Sequence, residues 1–278
     1  MAENQCSGCS QSGSCPSANA GGDAGQSSSE IGKKIIVMSG KGGVGKSSVA
    51  ANLAAWLSSQ GNSVGLLDVD LHGPSIPRMM NVTGEDIHQV GEMIIPAAGP
   101  SGLKVMSIGF LLESDTTPVI WRGPAKHNVI NQFVNQVHWG KLDYLIVDCP
   151  PGTGDEPLSA VQTLEKPDGA IIVTTPQQVS VMDVRRCISF CGKVEVDVLG
   201  VLENMAGYVC PKCGYRVDVF LSGGGEKVAE EFGLPFLGSV PMDPEFAISG
   251  EQGKPIVLQG EKSTTAQALA AAFSKIKF

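Results

Sequence analysis

The stretch Ile35–Ser48, IIVMSGKGGVGKSS, restricts the folds open to this chain more than any other. Ile35 to Met38 form an apolar run of strand type, a glycine-rich turn follows, and Lys46 opens a helical pattern. Gly40 through Gly45, Lys46 and Ser47 fit G-x-x-x-x-G-K-[ST] in the strand, turn, helix context that this motif requires. Glycines here let successive backbone N–H groups turn inward on an anion with no Cβ in the way. The helix N-terminus behind them adds partial positive charge. The reading is a phosphate-binding loop in which Gly40, Gly42, Gly43, Val44, Gly45, Lys46, Ser47 and Ser48 surround the phosphates of a nucleotide. Lys46, taken as a surface loop residue, reaches the β- and γ-phosphates, and the Ser47 hydroxyl completes the shell of Mg2+.

Along the rest of the chain apolar runs alternate with helical segments. This predicts an α/β fold over residues 33–278: a doubly wound, mostly parallel sheet of about seven strands flanked by helices. Residues 85–100 read as a hairpin off the sheet. In such sheets ligands bind at the carboxyl ends of the strands. Asp68 and Asp70 follow the run Val64–Leu67, where two carboxylates steady a metal's waters and orient an attacking one. Asp148 closes the run Tyr144–Val147, the usual place of the acid that holds the nucleotide's magnesium. Behind it CPPGTGDE joins a rigid proline pair to mobile glycines, which suits a loop that senses the γ-phosphate. Asn204, at the end of a later strand, offers an amide to the edge of adenine. Arg122, in WRGP, reads equally as a charge on a switch face or as a structural residue.

Acidic residues number 28 against 20 basic ones, for a net charge of −8, which argues against nonspecific nucleic-acid binding. The start MAENQCSGC lacks the basic and apolar parts of a signal peptide, and no run is long enough to span a bilayer. The expectation is a cytoplasmic protein without nucleic-acid or membrane partners. In that compartment eight cysteines are metal ligands, redox groups or core residues rather than disulfides. Residues 1–32 are rich in Ser, Gly, Asn, Gln and Ala and read as a disordered tail. Within it Cys6, Cys9 and Cys15, spaced C-x2-C-x5-C, are candidates for a second iron–sulfur site. Cys149, Cys187 and Cys191 read as core residues. Cys210 and Cys213 differ, because two thiolates close neither a tetrahedral zinc site nor a cubane cluster. A twofold dimer supplies the missing pair by facing the same C-x2-C from each subunit. Zinc and a cluster both fit that spacing.

Together GKGGVGKSS, DCPPGTGDEPLS, ENMAGYVCPKCG and GSVPMDPEFAISGEQGKPIV resemble the Mrp (ApbC/Nbp-type) family of iron–sulfur cluster carrier ATPases within the MinD/ParA superfamily. The similarity runs from about Lys34 to the C-terminus. The resemblance implies ATP as substrate, Mg2+ held by Ser47 and Asp148, catalysis by Lys46 and Asp70, and Lys41 reaching across a nucleotide-sandwich homodimer. It puts Asn204 at adenine and a [4Fe–4S] cluster on Cys210 and Cys213, received from a cluster donor and passed to apo iron–sulfur proteins. The tail resembles the eukaryotic cytosolic Nbp branch, with three cysteines where that branch has four. Two other classes stay open. A MinD/ParA-like positioning ATPase with a structural zinc knuckle calls for a basic patch or an amphipathic closing helix. A nitrogenase-like electron donor carries its cysteines singly in two loops.

Overall fold

Strand β1 (Glu30–Ser39) runs into the glycine-rich loop and then α1 (Lys46–Ser59), which returns along the sheet to β2 (Val64–Asp68). The short α2 (Ile76–Met80), a hairpin of β3 (His88–Val90) and β4 (Met93–Ile95), and the strands β5 (Ala97–Ala98) and β6 (Lys104–Ser107) complete the first half. The second half alternates α3 (Gly123–Asn135), β7 (Lys141–Asp148), α4 (Asp155–Thr163), β8 (Gly169–Thr174), α5 (Gln178–Lys193) and β9 (Val198–Glu203). A second hairpin, β10 (Tyr208–Val209) and β11 (Arg216–Val217), precedes α6 (Gly224–Glu231), β12 (Phe236–Ser239), α7 (Pro244–Glu251) and α8 (Thr264–Phe273). This computed structural model describes residues 29–70, 73–91, 93–111, 123–210 and 212–278. The expectations for Cys6, Cys9, Cys15 and Arg122 lie outside the described residues.

The main sheet has the order β12-β9-β8-β1-β7-β2-β6-β5. Seven strands run parallel and β5 pairs antiparallel with β6 at the edge. That eighth strand, only two residues long, is too short to carry a hydropathy period. One further correction concerns a boundary. Glu30 and Ile31 pair with Lys141 and Leu142 of β7, so the sheet begins ahead of the boundary expected at residue 33. Glu30, Gly32, Lys33 and Lys34 lie toward solvent at the amino end of β1, and apolar pattern does not reveal such residues as strand. Helices α4 and α7, each with a proline in its first turn, have no counterpart among the sequence expectations. In α7 Pro244 occupies the first turn, where its missing N–H costs nothing, and the Asp243 side chain accepts from Glu245 N at 2.9 Å.

Alternation along the strands builds two cores. Ile35 and Val37 of β1 face the layer of α1 and α8, whereas Ile36 and Met38 face α3, α4 and α5. All four are fully buried, and each such side chain contributes roughly 1.5–3 kcal/mol. The connection leaving β1, through α1, and the one leaving its neighbour β7, through α4, run on opposite faces of the sheet, opening a crevice at its carboxyl end.

Candidate functional site

The loop after β1 opens into that crevice. Gly43 and Gly45 have φ of 77° and 82°, left-handed values that strain any residue with a Cβ. At Gly45 a Cβ would also strike the Asn204 amide nitrogen. Together with Ser39, Asp70, Gly73, Ser75, Met79 and Pro151, the loop residues Gly42, Gly43, Gly45, Lys46, Ser47 and Ser48 line a cavity of about 250 Å³. Val44 turns its side chain into the core and offers the loop only its backbone.

Lys46 is not on the surface. It is 6% exposed, with Nζ 2.5 Å from Asp148 Oδ1 and 3.6 Å from Asp70 Oδ2. Burial pushes its ammonium pKa down, but the charge and hydrogen bond of Asp148 and the charges of Asp70 and Asp68 outweigh that and raise it. The second Asp148 oxygen, Oδ2, is buried without a hydrogen-bond partner, and the Ser47 hydroxyl lies beside this carboxyl. Asp68 stands level with Asp148 across β2 and β7, and like Asp148 it is fully buried beneath the cavity rather than part of its lining. Its oxygens are engaged by Asp70 N at 3.1 Å, Ile76 N at 3.4 Å and Ser107 Oγ at 3.0 Å. Burial, and then the Asp148 charge, push its pKa up to about 8.

Lys41 sits at the lip, where Nζ donates to Gln177 Oε1 at 3.1 Å, just ahead of α5. Sequence reasoning had no signal for that partner. Asn204, past the end of β9, donates from Nδ2 to Val44 O at 2.9 Å, while its Oδ1 is buried and unpartnered. The group it leaves over is therefore an acceptor. That matches the exocyclic amine of adenine and opposes the carbonyl oxygen guanine has at the same place.

Cys210 and Cys213 lie in the turn of the β10–β11 hairpin, at the same end of the sheet as the phosphate loop. Cys210 N donates to Tyr215 O at 3.0 Å and Gly214 N to Cys210 O at 2.9 Å. Hydrogen bonds from the backbone N–H groups of Lys212 and Cys213 hold the Cys210 thiol below its ordinary range, as suits a metal ligand. Cys213 is exposed, and Val209, Tyr215, Val217, Val219 and Leu221 expose apolar surface around the pair. Among the described residues no group of three or more His, Cys, Asp or Glu side chains is placed to hold a metal ion. Cys149, Cys187 and Cys191 are buried in the core, as expected. Burial raises the Cys149 thiol pKa well above its usual range.

A profile of the ParA-type NUBPL iron-transfer P-loop NTPases matches residues 30–277. The chain belongs to this family. It is 55% identical over 224 residues to a cytosolic Fe-S cluster assembly factor NUBP2 homolog of Nematostella vectensis, covering 79% of this chain and 83% of the relative. It is 50% identical over 230 residues to the iron-sulfur cluster carrier protein of Methanocaldococcus jannaschii, covering 83% and 79%. Among solved structures, the nucleotide-binding protein of Archaeoglobus fulgidus in complex with ADP aligns with a TM-score of 0.72 at 40% identity, over 81% of this chain and 88% of that one. The cell division ATPase MinD of Pyrococcus furiosus, at 20% identity and a TM-score of 0.62, shares the fold over 88% of this chain and 98% of its own. Family membership makes this chain a nucleotide-binding P-loop NTPase of the iron–sulfur cluster assembly and carrier class. Among the described residues no helix is long and apolar enough to cross a membrane.

Proposed function

We propose that the chain works in the cytoplasm as an ATP-hydrolysing homodimer that holds a [4Fe–4S] cluster as cargo between two Cys210–Cys213 pairs. It receives the cluster from a donor and delivers it to apo iron–sulfur proteins. The observation that carries this reading is the solvent-accessible cysteine pair itself, Cys210 half-buried and Cys213 exposed. Two ligands with backbone support and an apolar rim form half a site, and a second copy across a twofold axis provides the other half.

At the nucleotide end, the residues fit Mg2+. Asp148 has an unspent buried oxygen beside the Ser47 hydroxyl, and an oxygen-only donor set of this kind suits a hard cation. When bound, that ion neutralises phosphate charge. Lys46 leaves Asp148 to meet the β- and γ-phosphates, Asp70 orients the attacking water, and Asn204 Oδ1 accepts from the adenine amine. Lys41, already at the lip, exchanges Gln177 for the phosphates held by the facing subunit, so that ATP closes the dimer over its cargo.

The test is metal content with size. Anaerobically reconstituted protein should hold about four irons per dimer, and Cys210→Ser or Cys213→Ser should lose iron, colour and cluster-dependent dimerisation while still binding nucleotide. A colourless, zinc-loaded wild type that resists reconstitution would refute the carrier reading in favour of a zinc knuckle.

A further inference from the structure

Glu203 is buried at 1% exposure at the carboxyl end of β9, and nothing above gives it a part in binding or hydrolysis. Its carboxylate accepts from Gly225 N at 2.7 Å and Gly223 N at 3.3 Å, the amides that open α6, and from Ser239 Oγ of β12 at 3.3 Å. Gly223 and Gly225 lie where the chain leaves the cysteine hairpin. The next residue, Asn204, governs where the chain enters it. Asn204 is held by Thr174 O at 2.7 Å and by Val44 O of the phosphate loop, and Ala206 N and Gly207 O then bond to Val240 and Met242. The stretch Met205–Ser222, which carries Cys210 and Cys213, is thus held at its exit foot by the Glu203 side chain and at its entry foot by the Asn204 side chain together with backbone bonds.

Building on the carrier reading, we infer that Glu203 is the positioning residue of the cysteine hairpin: by gripping its exit beside the Asn204 grip on its entry, it sets where the two thiols stand. Between those feet the hairpin has little other support. Val209, Arg216 and Val217 are exposed, and its own ladder consists of two residue pairs. With the exit foot released, the hairpin is held at its entry alone, by Asn204 and the Ala206–Val240 and Gly207–Met242 backbone bonds, and Cys210 and Cys213 no longer keep the separation from the facing pair that a shared cubane demands. The phosphate loop, bonded to Asn204 and not to Glu203, is left in place.

Two full-length variants release the exit foot differently. Glu203→Gln puts an amide where one acceptor oxygen was, and Gly225→Ala adds a Cβ 3.0 Å from Glu203 Cβ and 3.3 Å from Oε2, displacing the carboxylate without altering its charge. Each is compared with wild type for nucleotide affinity, for loss of the reconstituted cluster to bathophenanthroline, and for alkylation of Cys210 and Cys213 by iodoacetamide in the apo form. We expect nucleotide affinity within twofold of wild type, cluster loss at least fivefold faster, and apo thiols alkylated severalfold faster. Unchanged cluster lifetime and thiol reactivity in either folded variant would overturn the inference. So would a parallel fall in nucleotide binding and cluster lifetime, since that is general loosening of the fold. If wild type takes up no cluster, the carrier reading fails, and apo alkylation still decides the role of Glu203.

Discussion

The Lys46 ammonium is 2.5 Å from Asp148 Oδ1, in a pair almost wholly removed from water. Breaking a buried pair from one side leaves an uncompensated charge, at a cost of about 3–5 kcal/mol. Lys46→Ala should therefore lower the stability of the nucleotide-free protein by that order, besides abolishing productive ATP binding. Adding Asp148→Asn should restore part of the stability and none of the binding. Denaturant melts of the two variants decide this, and a Lys46→Ala protein as stable as wild type would remove the pair from the account.

The Lys41 side chain makes a partly exposed hydrogen bond to Gln177. Its replacement by Ala should leave stability within about 0.5 kcal/mol and nucleotide binding intact, yet abolish ATP-dependent dimerisation and most hydrolysis. Sedimentation with and without ATP provides the check. Normal turnover in Lys41→Ala would sink the sandwich dimer.

Asp68 brings a pH dependence. Its carboxyl pKa stands near 8 in the folded chain against an ordinary value of 3.8. Between those values the folded chain keeps a proton that the unfolded chain has released, so stability falls as pH rises through that window. For nucleotide-free protein in chelator, this group should contribute a loss of up to about 1.4 kcal/mol per pH unit between about pH 5 and pH 8. Asp68→Asn should flatten the slope. Parallel stability curves for wild type and variant would contradict the assignment.

Asn204 Oδ1 is a buried acceptor without a partner, the group that the proposed function gives to the adenine amine. Asn204→Ala should narrow the preference for ATP over GTP by about 1–3 kcal/mol, chiefly through weaker ATP binding. Competition titrations measure it, and an unaltered ratio would mean that the base is read elsewhere.

Much of this arrangement is legible in the amino-acid order, because it is local. The spacing Gly40–Ser47 needs only its own strand and helix, and Asp148 announces itself at the end of an apolar run. What stayed hidden depends on neighbours far apart in sequence. The burial of Lys46 comes from the packing of β1 beside β7, which sets Val37 level with Asp148. The grip of Glu203 on Gly223 and Gly225 requires α6 to begin directly over the end of β9, and a lone glutamate carries no sign of that. Asp68 reads as a twin of Asp70, and the amides of Asp70 and Ile76 and the Ser107 hydroxyl, all brought onto its carboxylate by the fold, distinguish the two.

Cys149, Cys187 and Cys191 are fully enclosed, whereas Cys210 and Cys213 meet solvent. Peroxide arriving through water therefore finds, among the described cysteines, just the hairpin pair, and backbone N–H groups hold the Cys210 thiol below its ordinary range. A sulfenic acid formed at Cys210 has a neighbouring thiol with which to condense, giving a disulfide and water before the irreversible acids can form. Oxidation thus closes the hairpin pair without touching the thiols that pack the sheet. A dithiol reductant is then enough to reopen it.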